Sequence, residues 1–252
     1  MVLRFHGVLP EGALVRADRT RSPSPVWLST APSRSEFLRA PDDPSRITAW
    51  RSLYGDDCQA LAVAANKTGT SIAENPARLT FRAEENSGLV LADVISDAGT
   101  LTFGLIFWPE AGADPRTLLS LQPRGEDDYL FLSGDGGVFR AAQKSEQMEL
   151  ALPPQAADAA ARILICAISG SALRLCLDFG PVAATPLDSP FQGRADLFIG
   201  CRNARAGLRR KLGAFGLTDV MAWPGEDLLS VPDSPALEAV KAVWRDRCAH
   251  AI

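Results

Sequence analysis

The residues best equipped for chemistry fall into two short stretches. Arg124-Gly125-Glu126-Asp127-Asp128-Tyr129 sets a ring beside three carboxylates, and Gly134-Asp135-Gly136 follows one strand later. Sugars present C–H faces to aromatic rings and hydroxyl fans to Asp, Asn and Arg. Asp127, Asp128 and Tyr129 therefore make a candidate ligand-binding rim. Asp127, Asp128 and Asp135 are also candidate calcium ligands, because Ca²⁺ takes roughly six to eight oxygens from carboxylates and carbonyls. The second stretch runs from Arg202-Asn203-Ala204-Arg205 to Arg209-Arg210-Lys211, with five basic residues and no acid in ten positions. In a chain of net charge −4 such a run suits an anionic partner, either an acidic polysaccharide or an acidic neighbouring subunit. Arg202, Asn203, Arg205, Arg209 and Arg210 are its candidate binding residues. A solvated turn is the plainer alternative for both stretches. Tyr54, Asp56 and Asp57 form a third candidate rim with the same alternative.

Several chemistries find no residues to carry them. The two histidines, His6 and His250, sit at opposite ends of the chain, which leaves no pair for acid–base or metal work. No Gly-x-Ser-x-Gly elbow, phosphate-binding glycine loop or His-Glu-x-x-His helix occurs. The five cysteines, Cys58, Cys166, Cys176, Cys201 and Cys248, show no zinc-ligand spacing. They read as reduced, packed thiols, with a Cys166–Cys176 disulfide across a hairpin as the alternative. Net acidity argues against nucleic acid as the main partner, and no apolar run approaches the ~20 residues that cross a bilayer. Pro10 and Glu11 interrupt the N-terminus before a signal-peptide core can form. The expected setting is synthesis in the cytoplasm.

The elements that must position these residues are short strands. Gly99 to Trp108 alternates, with Leu101, Phe103, Leu105 and Phe107 on one face. Thr117–Leu121 and Tyr129–Ser133 follow, and Gly134-Asp135-Gly136-Gly137 turns the chain. Arg162 to Ile168 is apolar on both faces, as a strand covered on both sides would be. Leu173 to Phe179, Ala195 to Gly200 and Leu212 to Trp223 complete the series. Many short strands with Gly/Pro turns and no interleaved helix imply an all-β, antiparallel sandwich or jelly roll. At the end, Ser234 and Pro235 open an amphipathic helix with Leu237, Val240 and Trp244 on one face, expected to pack on its own sandwich. The chain divides into an extended N-terminal arm (1–46), a sandwich (47–230) and a helical segment (231–252). The arm shows no strand period; it reads either as extended chain laid along the sandwich or as an arm that docks on a partner subunit, with Trp27 and Phe37 as anchors.

The succession resembles the concanavalin A-like, laminin-G-like jelly rolls of bacterial and phage proteins. The likeness runs over about residues 47–230 and rests on several segments. Ile47-Thr48-Ala49-Trp50, followed by a polar Gly/Asp turn, is similar to the family's opening. Leu79 to Ala83, the 99–108 strand and Asp196-Leu197-Phe198-Ile199-Gly200 are similar to its later strands. Leu217 to Trp223 is similar to its closing strand. Glucanases of this fold carry Glu-x-Asp-x-Glu along one strand, so that the carboxylates share a face. Here Glu126-Asp127-Asp128 lies in a loop and misses that spacing. The resemblance implies a non-catalytic, lectin-like protein that binds a cell-surface or capsular polysaccharide, acidic if the basic run is the site. It further implies a homo-oligomer, the arm as attachment, and a fibre or spike of a phage-like particle released by lysis. Two other classes stay open from the residues: an assembly module that binds partner subunits without glycan, and a polysaccharide hydrolase or lyase.

Overall fold

The computed structural model describes residues 25–31, 34–52, 58–63, 71–73, 77–85, 87–145, 148–154, 160–187, 191–205, 211–231 and 233–249. These residues form two antiparallel sheets. One runs edge to edge through β15 (Ala183–Pro186), β14 (Ala172–Leu177), β13 (Arg162–Ser169), β8 (Thr100–Pro109), β17 (Phe215–Pro224), β6 (Arg78–Phe81) and β5 (Ser71–Ala73). To it β1 (Val26–Ser29) adds by pairing along β17. The other runs through β12 (Glu149–Ala151), β11 (Val138–Gln143), β10 (Leu130–Asp135), β9 (Arg116–Pro123), β16 (Ala195–Ile199), β7 (Leu89–Ile95), β4 (Gln59–Ala62), β3 (Ile47–Ser52) and β2 (Ser35–Arg39). Helix α1 (Pro235–Ala249) closes the chain, and no helix among the described residues is long and apolar enough to cross a membrane.

Alternation along each strand decides what faces inward. Leu101, Phe103, Leu105 and Phe107 of β8 share one buried cluster with Leu119, Leu121, Leu130 and Leu132 of the other sheet. Phe107 meets Phe139 of β11 edge to face, ring centroids 5.6 Å apart. Each such side chain contributes about 2 kcal/mol by leaving water. β13 is apolar on both faces because both are covered. Leu164, Cys166 and Ile168 join the inter-sheet core, while Ile163 and Ile165 pack under Leu237 and Val240 of α1. Trp244 fixes the helix by donating its Nε1–H to the Ala161 carbonyl at 2.9 Å.

The stretch read as a periodless arm enters both sheets. β1 lies along β17, and β2 forms a hairpin with β3 across residue 46, where the arm was expected to end. Strands of four and five residues hold too few alternations to show a period, and their pairing is set by distant partners. Trp27 packs against Trp223 at 6.3 Å and Phe37 stacks on Trp50 at 6.0 Å, so both rings find partners within the chain.

A buried ion pair ties these pieces together. β17 slips register against β8 between Leu217 and Asp219, and the extra residue, Thr218, turns Asp219 onto the face beneath α1. The Asp219 carboxylate is fully buried; it accepts from Trp27 Nε1 at 3.1 Å and from Arg247 Nε of the helix at 3.1 Å. Arg247 also donates to Ser29 Oγ of β1 at 3.0 Å. Strand register also decides the thiol question. Cys166 lies opposite Leu175 and Cys176 opposite Ile165, so the two sulfurs point to opposite faces of the sheet. A disulfide between them is excluded, and all five cysteines are free thiols.

Two stability predictions follow from these contacts. Arg247→Met leaves the Asp219 carboxylate buried without its cation and costs about 3 kcal/mol, whereas Asp219→Asn combined with Arg247→Met recovers a large part of the loss. Urea denaturation of the three proteins measures both. Burial raises the thiols from the ordinary 9.0, to about 11 for Cys58 and Cys176, to about 12 for Cys201, and higher still for Cys166. The unfolded chain therefore ionises these thiols first, and stability present below pH 9 is lost as pH rises toward about 11 and beyond. Denaturation midpoints between pH 8 and 11 should fall, and replacing the buried cysteines by alanine should flatten that fall.

Candidate functional site

The outward face of the nine-stranded sheet carries a groove. On β10, Leu130 and Leu132 point into the core, so Phe131 and Ser133 point outward. On β9 the register jumps: Leu132 lies opposite Leu119, but Ser133 lies opposite Thr117. The extra residue lets Leu118 and Leu119 both enter the core, and it turns Thr117 outward beside Ser133. Arg116, next to the bulge, takes a positive φ of 49° and pairs with Asp135 at 2.7 Å and Asp114 at 3.1 Å. The β10–β11 hairpin closes on Gly136 and Gly137, at φ 56° and 78°, a two-residue turn that needs positive φ at both positions.

A cavity of about 550 Å³ lies over β9 to β12 on this face. Arg116 and Thr117 line one side; Phe131 and Ser133 lie beneath; Arg140, Gln143 and Glu149 line the other. Arg202 and Lys211 reach in from the segment after β16. That segment can press so close because residue 213 is glycine: a Cβ there would sit 1.6 Å from the Pro115 carbonyl oxygen. Arg202 lays its guanidinium over the Phe131 ring, with the central carbon 3.7 Å from the centroid, and donates from Nε to Thr117 Oγ1 at 3.2 Å. Burial lowers the Arg202 pKa from its ordinary value, opposed by Tyr129 nearby; a guanidinium stays charged at neutral pH regardless. Arg140 pairs with Glu149 at 3.1 Å.

The groove brings together some of the expected site residues and separates others. Arg202 and Asp135 line it. Tyr129 does not offer a ring to a ligand: it is 4% exposed, packed edge to face on Phe131 at 6.2 Å, with the Lys144 ammonium 6.0 Å from its centroid. The Asp128 carboxylate braces its loop, accepting from the Tyr129 N–H at 2.9 Å and from Ser145 Oγ at 2.8 Å. Asp127 takes part through its backbone carbonyl, which accepts from Lys144 Nζ at 2.9 Å. Asn203 Oδ1 accepts from the Arg205 N–H at 2.9 Å, a local turn that leaves Arg205 exposed. Arg209 and Arg210 lie outside the described residues, as do Tyr54, Asp56 and Asp57.

The calcium set does not converge. Asp128 precedes β10 and Asp135 ends it, so the strand holds them roughly 20 Å apart, and Asp135 is already engaged by Arg116. Among the described residues no three His, Cys, Asp or Glu side chains gather for a metal ion. The groove-lining residues that sequence reasoning missed are Arg116, Thr117, Ser133, Arg140 and Glu149. Each stands alone in an otherwise ordinary strand. The signal available was the outward phase of β10 and β11, which needs their pairing to become a site.

No protein-family model matches the chain, and no curated protein is significantly similar to it. Solved structures do match. A Trypanosoma rangeli sialidase in complex with sialic acid superposes with a TM-score of 0.51 at 14% identity, over 78% of this chain and 30% of that one. The Ruminococcus gnavus IT-sialidase CBM40 bound to alpha2,3 sialyllactose gives 0.40 at 10% identity, over 51% of this chain and 76% of that one. Mouse laminin alpha1 chain domains LG4-5 give 0.39 at 11% identity, over 51% of this chain and 39% of that one. The chain spans 27%, 30% and 39% of the length of the first three structures it matches. The fold is an antiparallel β-sandwich of the jelly-roll kind, as the strand pattern implies.

Gly213→Ala tests how the groove wall is held. The added methyl group meets backbone that cannot swing aside, so the substitution should cost about 3 kcal/mol. Thermal unfolding beside Gly180→Ala, which also lacks a positive φ and whose Cβ would come no nearer than 3.2 Å, to the Leu177 carbonyl oxygen, separates the severe clash from the general effect of losing a glycine.

Proposed function

We propose that this protein is a non-catalytic, lectin-like carbohydrate-binding protein whose ligand lies in the groove over β9 to β12. The observation that supports this reading best is the lining. It mixes donors and acceptors on a broad open face: the Thr117 and Ser133 hydroxyls and the Arg116–Asp135 and Arg140–Glu149 pairs. Pockets for apolar small molecules are mostly hydrophobic with few polar groups. A wall that is polar along its length instead suits a chain of hydroxyl-bearing rings. The rings beneath, Phe131 and Tyr129, act as ballast that holds the polar layer rather than as stacking platforms.

A surface or capsular polysaccharide is the ligand class such an open groove accommodates, because a polymer can run on past both ends. A fibre or spike of a phage-like particle would use it for adhesion to an envelope. The carboxylates on the groove are each held by an arginine, so a bridging metal ion has no ready ligands there.

A glycan array with the full chain tests the reading. Retention of a defined oligosaccharide class is expected, unchanged by a calcium chelator, and weakened by Ser133→Trp, which fills the floor of the groove. A blank array with a folded protein would overturn the proposal and move the function to an assembly module. Released reducing sugar or unsaturated product would assign a hydrolase or lyase instead.

A further inference from the structure

Resting on the carbohydrate reading, we infer that the groove selects an anionic sugar residue, whose carboxylate or sulfate group seats against the Arg202 guanidinium. The charge of the lining argues for it. Arg116 is matched by two carboxylates, Asp135 and Asp114, and Arg140 by Glu149, whereas Arg202 lines the same groove against groups that carry no negative charge.

Arg202 differs from its neighbours in what balances it. Arg116 and Arg140 each hold a carboxylate of the groove. Among the described residues, no carboxylate lies within salt-bridge distance of Arg202. It is held by the Phe131 ring, the Thr117 hydroxyl and the Tyr129 side chain, none of them a carboxylate. A stacked guanidinium keeps its N–H donors in one plane and directs them outward from its edge, and that fork matches the two oxygens of a carboxylate or of a sulfate. Ring and hydroxyl fix the fork in place, so little side-chain freedom is lost when an anion binds. Partial burial without a countercharge is unfavourable to the cation, and an arriving anion relieves it.

The experiment uses the full chain against arrayed carboxylated, sulfated and neutral oligosaccharides, with oligogalacturonate and its methyl ester as a pair in which esterification removes the carboxylate charge and adds only a methyl group. Acidic glycans should be retained, and raising the salt concentration from 50 to 500 mM should weaken them markedly. Arg202→Gln should reduce retention by at least about tenfold, while Arg202→Lys, which keeps the charge, should lose less. Retention of carboxylated or of sulfated glycans supports the inference and identifies which anion the guanidinium takes. Retention of neutral glycans alone overturns it and leaves the carbohydrate reading standing. A blank array overturns both. Acidic glycans held equally by wild type and Arg202→Gln would also overturn it. Should Arg202→Gln fail to fold, the wild-type salt series decides: salt-insensitive retention overturns the inference.

Discussion

Two sheets have four faces, and every feature of this molecule depends on how each is covered. The two inner faces bury each other through Leu101, Phe103, Leu105 and Phe107 on one side and Leu119, Leu121, Leu130 and Leu132 on the other. The outer face of the eight-stranded sheet is also apolar, with Ile106, Ile163, Ile165, Met221 and Trp223, and it is covered by α1. An uncovered apolar face of that size would be an aggregation hazard. The outer face of the nine-stranded sheet carries Thr117, Ser133 and Arg140 over β9 to β11, and its small apolar cluster of Tyr129, Phe131 and Ala142 is covered by the Arg202 side chain rather than by a helix. The candidate groove lies on this more polar face.

Two bulges adjust the phase of the strands where strict alternation would put the wrong side chain in the wrong place. In β17 the extra Thr218 keeps Leu217 and Val220 in the core while turning Asp219 outward, under the helix. The buried carboxylate then joins Trp27 of β1 and Arg247 of α1, so both ends of the described chain are latched to one strand. In β9 the extra Leu118 does the same for Thr117, which becomes the hydroxyl that holds Arg202. An added residue inside a ladder costs local pairing, and it is tolerated where it aims a group that matters. One bulge serves the assembly of the fold and the other the geometry of the groove.

The aromatic residues show how far type and position can mislead. Tyr129 sits in the acidic loop as though set out for a sugar, yet its ring packs on Phe131 and carries Lys144 above it. Phe131 is capped by Arg202. Rings on this face are covered by cations, so their apolar surface supports charge rather than meeting a ligand. The same inversion applies to Asp127 and Asp128, where one gives a carbonyl and the other braces a turn. Short polar residues in loops satisfy their own backbone first.

The sequence by itself determined what depends on local order. Alternation in 100–108 placed four side chains on one face, the double-sided run at 162–168 required a cover on each side, and the spacing of Leu237, Val240 and Trp244 built that cover. The glycine turn after β10 was equally legible, because positive φ is a property of the residues in the turn. Only the tertiary structure decided the groove. Arg116, Arg140 and Arg202 lie far apart in the chain and meet because β9 pairs with both β10 and β16, and β10 with β11. It also decided that Cys166 and Cys176 face apart, since one residue of register separates opposition from opposite faces. Local propensity follows from a residue and its neighbours, whereas register is settled by the packing of the whole core. Every site built across strands therefore waits on the fold.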